Sequence, residues 1–205
     1  MDNKAYLDEI AVKGKKKFSA GPILTPVMIK LIIVGVAAVI AMIVVATMLN
    51  SRKDDSSAIH ETIYFRMTGL IDKHSPIRTY IKKVKSSDLR AYTSTLISAL
   101  TTTSDSIKAV SGKIGLKTSS PSSEVSQLNS KNISTLEDDL ERAYLNGNLD
   151  VTYASNMSYQ LSLLISLENQ ARSKTSDATY AQALDESKAG LEALEENFRN
   201  YADTH

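Results

Sequence analysis

The feature that most constrains this chain is an unbroken apolar run at residues 31–49, LIIVGVAAVIAMIVVATML, which contains no charged residue. At about 1.5 Å of rise per residue, a helix of this length matches the roughly 30 Å hydrocarbon core of a bilayer. A helix in water keeps a polar face, and this run has none at any helical spacing. The run therefore predicts a transmembrane signal anchor over residues 27–49, in contact with membrane lipid.

The charges around this run predict its orientation. Residues 1–30 contain six lysines and three acidic residues, a net charge of +3, whereas the whole chain carries +1. A basic flank before a span keeps the N-terminus in the cytoplasm. We therefore expect residues 1–26 to be a short basic cytoplasmic tail, residues 50–56 a junction, and residues 57–205 an extracytoplasmic domain at the cell membrane. A pair of basic residues after the run weakens this asymmetry, although two acidic residues follow them.

Two features of the N-terminal part have alternative interpretations. Val44-Val45-Ala46 is a passable signal-peptidase site, but the long leader and the long apolar core favour an uncleaved anchor. A basic cluster in the tail either binds anionic headgroups at the membrane surface or serves only to set the topology. The cluster consists of Lys13, Lys15, Lys16 and Lys17. Within the run, Ala37 and Ala41 have the small-residue spacing that lets spans pair in a homo-oligomer, a spacing also common by chance.

Apolar residues after the junction recur at helical spacing in five segments. Breaks are expected at Ser75-Pro76, near Ser86-Ser87, in the loop 117–123, at Asn146-Gly147-Asn148 and near 173–177. The short connections predict antiparallel neighbours. The fold class is therefore all-α: a single N-terminal transmembrane helix followed by an antiparallel up-and-down bundle of four to five helices.

Specific side chains are assigned to the core and to the caps of this bundle. The side chains of the third helix that should face the core are Val125, Leu128, Ile133, Leu136, Leu140 and Tyr144. Asp150 is expected to cap the fourth helix. Each helix has one apolar face that needs neighbours to cover it, and none is apolar all round, so the bundle should fold without its anchor. Truncation of Leu136, Leu140, Leu161 or Leu164 to alanine should cost about 2–5 kcal/mol.

Candidate catalytic or metal-binding arrangements are weak in this sequence. His60-Glu61-Thr62-Ile63-Tyr64 begins like a helical zinc-protease motif, but the second histidine that the motif needs at position 64 is a tyrosine. The chain has no cysteine, so thiol nucleophiles and thiolate metal sites are excluded. Its few histidines offer little for a catalytic triad, and no glycine-rich loop cradles phosphate. We expect no enzyme, no cofactor and no metal.

One stretch of the polar domain is strongly basic and forms a candidate partner-binding patch: Arg78, Lys82, Lys83 and Lys85. It either binds an anionic partner or pairs with the acidic faces of the third and fifth helices. Nucleic acid is not expected, because the domain should lie outside the cytoplasm and its aromatic residues lie on apolar stripes.

In architecture alone, a helical ectodomain on a single span resembles membrane-tethered bundles, including bacterial sensor ectodomains. The composition suits a bacterial cell-envelope protein. We expect a non-enzymatic binding or structural module with a protein or envelope-component partner. The alternative is a small-molecule sensor or carrier with a pocket between helices, lined by Tyr92, Tyr144, Tyr153 and Tyr159.

Overall fold

The computed structural model describes residues 56–205, and within this range all regular structure is α-helical, with no β-strand. The helices are α1 (Ser56–Ile71), α2 (Pro76–Tyr80), α3 (Ser87–Val110), α4 (Ser123–Leu145), α5 (Leu149–Lys174) and α6 (Ala178–Thr204). The all-α prediction is thus confirmed for this part of the chain. In residues 56–205 no helix is both long enough and apolar enough to cross a membrane. The tail 1–26, the span 27–49, the first part of the junction and Lys13, Lys15, Lys16 and Lys17 lie outside the described residues.

The breaks between the first three helices follow from local chemistry. Pro76 is the first residue of α2, where its fixed φ suits a helix start and its missing N–H costs nothing. Ser86 precedes α3 and accepts a hydrogen bond from the Leu89 N–H at 3.3 Å, which is a normal N-cap. The predicted interruption near Ser86-Ser87 is therefore present, and α2 is a separate short turn.

The turn between α4 and α5 depends on a left-handed glycine. Gly147 has a φ of +74°, a conformation that side chains with a Cβ rarely adopt. The Gly147 N–H donates to the Tyr144 carbonyl at 3.2 Å, and the Asn148 N–H donates to the Ala143 carbonyl at 3.0 Å. This is a Schellman motif, and it satisfies carbonyls that the end of α4 would otherwise leave unpaired.

The long helices alternate in direction. At the end of the bundle where α1 begins, called here the Ser56 end, Glu61 accepts a hydrogen bond from the Ser122 N–H at the start of α4. Here also His60 contacts Tyr180 in the first turn of α6. At the opposite end, called the far end, Asp150 at the start of α5 contacts Ser86 at the start of α3. Helices α1, α4 and α6 therefore run away from the Ser56 end, and α3 and α5 run back towards it.

Helix α1 lies at the centre of this arrangement, packed against α3, α4 and α5. All of residues 57–71 are buried or half-buried. Helix α1 therefore has no exposed face, because neighbours cover it on several sides. Gly69 allows a close approach there: a Cβ at this position would lie 2.6 Å from the Asn129 side chain of α4.

The predicted core stripes are largely confirmed. Leu136, Leu140, Leu161 and Leu164 are all fully buried, as expected. The third predicted helix is the least accurate, since Leu128 and Ile133 are only half-buried and Tyr144 is exposed. The reason is that α4 lies at the edge of the bundle, and its buried stripe ends at Ala143, one residue before Tyr144.

The prediction that Asp150 caps the helix that follows it, α5, is wrong. Asn148 is the N-cap residue of α5, and Asp150 lies within the first turn. The Asp150 carboxylate instead accepts the backbone N–H groups of Lys85 at 3.0 Å and Ser86 at 2.8 Å. Asp150 thus caps the start of α3 from a helix more than sixty residues later, and it joins the two helices at the far end.

Asp150→Ala is expected to destabilise residues 56–205 by about 2 kcal/mol, because two backbone donors at a helix start would lose a charged acceptor. Urea unfolding followed by circular dichroism at neutral pH measures this. The matched control is Asp105→Ala, since Asp105 is an exposed carboxylate of α3, and it should change stability by less than about 0.5 kcal/mol. Equal effects of the two substitutions would contradict the capping role.

Candidate functional site

The predicted basic patch lies at the far end, in the segment that joins α1 to α3. Helix α2 buries Ile77 and Tyr80, and it packs against α4. The lysines that follow, Lys82, Lys83 and Lys85, are exposed. Together with Arg78 and two residues from the end of α4, Tyr144 and Leu145, they form a surface that we call the basic corner.

Lys83 is held in place by two aromatic rings. Its Nζ lies 4.8 Å from the ring centroid of Tyr80 and 4.2 Å from that of Tyr144. Both distances are within the range of cation–π attraction. Tyr144 stays outside the core, with 48% of its surface exposed, and its ring lies against Lys83.

Leu145 is the other unusual residue of the basic corner. Its side chain is 74% exposed, although it is the last residue of α4 and large apolar side chains are normally at least partly covered. Tyr144 and Leu145 are the exposed large hydrophobic residues of the range 56–205. The Tyr144 ring lies against Lys83, and Leu145 is the next residue along α4.

The arginines of this region bind backbone carbonyls. The Arg78 Nε donates to the Ile71 carbonyl at 2.9 Å, at the end of α1. An Arg90 nitrogen donates to the Val84 and Lys85 carbonyls at 2.7 and 3.0 Å. Within residues 56–205, the ion pairs closer than 4.0 Å involve other cations: Arg142, Arg172, Lys188 and Arg199. Among residues 56–205, no ion pair within 4.0 Å joins the basic stretch to an acidic helix face, although α2 packs against α4.

Acidic side chains nevertheless border the basic corner. The pKa of Tyr80 is raised by its burial and by the negative charges of Glu141 and Glu137 on α4. Glu137 and Glu141 are negatively charged, so they would repel a negatively charged partner. The surface that could attract such a partner is therefore limited to the neighbourhood of Lys82, Lys83 and Lys85.

A second group of polar side chains is buried between α1, α5 and α6. His60 Nδ1 and the Tyr180 hydroxyl share a hydrogen bond of 3.0 Å, and their rings meet edge to face. Glu168 on α5 is only 1% exposed and accepts a hydrogen bond from the Ser187 hydroxyl at 2.6 Å. Burial is the main cause that raises the pKa of Glu168 to about 7, and burial also lowers the pKa of His60.

Arg66 is a buried cation on α1, with 4% of its surface exposed. One of its terminal nitrogens donates to Gln160 Oε1 on α5 at 2.7 Å, while its Nε has no hydrogen-bond partner among residues 56–205. Burial lowers its pKa to about 10, so the guanidinium stays charged at neutral pH. The buried guanidinium therefore joins α1 to α5 through its hydrogen bond to Gln160.

These buried polar groups were not anticipated from the sequence. A signal was present: Arg66 continues the apolar stripe of Ile59, Ile63 and Leu70 at helical spacing, and Glu168 follows Leu164 by one turn. The tyrosines proposed to line a ligand pocket are only partly brought together. Tyr92 and Tyr153 both pack against Phe198 in the core, whereas Tyr144 lies on the surface.

No protein-family model matches this chain, and no curated protein or solved structure shows significant similarity to it. We therefore infer function from the geometry described above and from the sequence.

Proposed function

We propose that this protein is a single-pass membrane protein whose helical bundle is a non-enzymatic binding module of the cell envelope. In this proposal residues 27–49 anchor the chain, the N-terminus is cytoplasmic, and the bundle lies outside the membrane. The anchor and its orientation rest on the sequence alone. The observation that carries the binding role is the basic corner, where the exposed Tyr144 ring lies against Lys83 and the next residue, Leu145, is also exposed.

Two physical arguments support binding at this surface. An exposed apolar side chain gains free energy when a partner covers it, and adjacent exposed aromatic and aliphatic residues often mark interaction sites. Charged side chains around such a pair attract and orient the partner. The corner is also at the far end, away from Ser56, where the chain enters α1 from the junction.

Site-specific photocrosslinking in intact membranes tests this proposal. A photoreactive residue is introduced at Leu145 in the full-length protein, and the matched control places it at Ser119, an exposed loop position at the Ser56 end. We expect a discrete crosslinked product at position 145 that is weak or missing at 119, and we expect it to disappear when Lys82, Lys83 and Lys85 are changed to glutamate. The same product from both positions, or none at 145, would contradict the proposal. Protease accessibility of the bundle in intact cells tests the orientation separately.

A further inference from the structure

The composition of the basic corner restricts the chemistry of its partner. Lys82 and Lys85 are exposed, and Lys83 is held at the surface by the rings of Tyr80 and Tyr144. None of the three forms an ion pair within 4.0 Å with another residue of the range 56–205. Three closely spaced positive charges attract a partner with several negative charges, and this attraction should weaken as salt is added.

The exposure of the Leu145 side chain distinguishes between two kinds of anionic partner. A polyphosphate or similar polymer has no apolar group, so it would leave the 74% exposed Leu145 side chain in water. An acidic protein segment that also carries aliphatic side chains would cover Leu145 and the outer face of Tyr144 while its carboxylates meet the lysines. Only the acidic protein segment would contact both the lysines and the exposed apolar side chains of the basic corner.

We propose that the basic corner binds an acidic segment of a partner protein in which carboxylate and aliphatic side chains alternate closely. This inference rests on the proposed function, because it names the partner class of the same surface. Lys82, Lys83 and Lys85 attract the carboxylates. Leu145 and Tyr144 contact the aliphatic side chains and distinguish such a segment from a purely charged one.

Fluorescence anisotropy with defined probes tests this chemistry. The full chain is reconstituted in nanodiscs of phosphatidylcholine, whose headgroups carry no net charge. The probe is a fluorescein-labelled peptide with four Glu-Glu-Leu repeats, and its matched control has four Glu-Glu-Ser repeats with the same charge. We expect the leucine peptide to bind roughly fivefold or more tightly than the serine peptide, since contact with Leu145 removes apolar surface from water.

Variants assign the two contributions to named side chains. Leu145→Ser should abolish the difference between the two peptides. The variant with Lys82→Glu and Lys85→Glu keeps Lys83 between its rings, and it should weaken binding of both peptides about tenfold. The matched control reverses two exposed lysines at the Ser56 end, Lys113 and Lys117, and should change affinity less than twofold. Unchanged circular dichroism spectra show that each variant is folded.

Several results would overturn the inference. Equal binding of both peptides, with inorganic polyphosphate competing as well as the leucine peptide, would identify a general polyanion site. An equal loss in the Ser56-end control would show attraction by overall charge alone. Self-association that the lysine reversal abolishes would identify a second copy of this chain as the occupant. Failure of both peptides to bind, while the crosslink at position 145 persists, would reject this partner class and leave the proposed function standing.

Discussion

Replacing Phe198 with alanine is expected to lower the free energy of unfolding of residues 56–205 by about 3–5 kcal/mol. Phe198 on α6 is fully buried, and its ring lies 5.7 Å from that of Tyr92 and 6.5 Å from that of Tyr153. Tyr153 is itself held by a 3.0 Å hydrogen bond with Thr93. Because Tyr153 is fixed in this way, it cannot collapse into the space that the lost ring would leave, and a cavity adds to the lost burial.

Urea unfolding of residues 56–205, expressed without the first 55 residues, measures this effect. The parent fragment is expected to be helical in buffer without detergent, since its apolar side chains are buried by one another. Ser119→Ala, at an exposed loop position, is the control and should change stability by less than about 0.5 kcal/mol. A fragment that becomes helical only in detergent would mean that these stripes face lipid or a partner, and a small effect of Phe198→Ala would mean that this core is loosely packed.

Glu168→Gln is expected to raise the free energy of unfolding above pH 7 by up to about 3 kcal/mol. The pKa of the Glu168 carboxyl rises from 4.5 to about 7 on folding, mainly because of burial. A shift of one unit corresponds to about 1.4 kcal/mol. Glutamine removes the buried charge and keeps an oxygen that accepts a hydrogen bond from the Ser187 hydroxyl. Most of the free energy that burial of the charge costs should therefore be recovered.

The sign of the pH dependence follows from proton binding. Between pH 4.5 and about 7 the folded state binds the Glu168 proton more tightly than the unfolded state does, so stability falls as the pH rises through this window. Lys188 lowers this pKa and Glu192 raises it, and the nearby Tyr180 hydroxyl bonds to His60. The lowered pKa of His60 acts in the opposite direction, because stability is lost as the pH falls below 6.5.

Urea unfolding at several pH values separates the two groups. In Glu168→Gln the decline between pH 4.5 and 7 should flatten, whereas the loss below pH 6.5 due to His60 should remain. Thr179→Glu, which places a carboxylate at an exposed position in the first turn of α6, serves as a control for a surface charge and should not produce the decline. A parent protein with no change in stability between pH 4.5 and 8 and no gain in Glu168→Gln would show that Glu168 is not held in an apolar environment.

Only the charged residues of the candidate site could be predicted from the sequence. The run of cations from Arg78 to Lys85 is visible in the sequence because its members are close together in the chain. Tyr144 and Leu145 join them from a helix some sixty residues later, and the apolar spacing of α4 places Tyr144 in the core. In the structure the buried residues of α4 end at Ala143, and the Tyr144 ring lies against Lys83, a residue distant in the chain.

The sequence by itself determined where the helices begin and end and which faces are apolar, because these properties depend on neighbours within one or two turns. Pro76, Ser86 and Gly147 act on the adjacent backbone wherever the helices pack. The tertiary structure alone decided that Asp150 caps a different helix, that α1 is enclosed by its neighbours, and that Arg66 and Glu168 hydrogen-bond to Gln160 and Ser187. The free energy of each of these groups depends on atoms that are far away in the chain, and packing is what brings those atoms into contact.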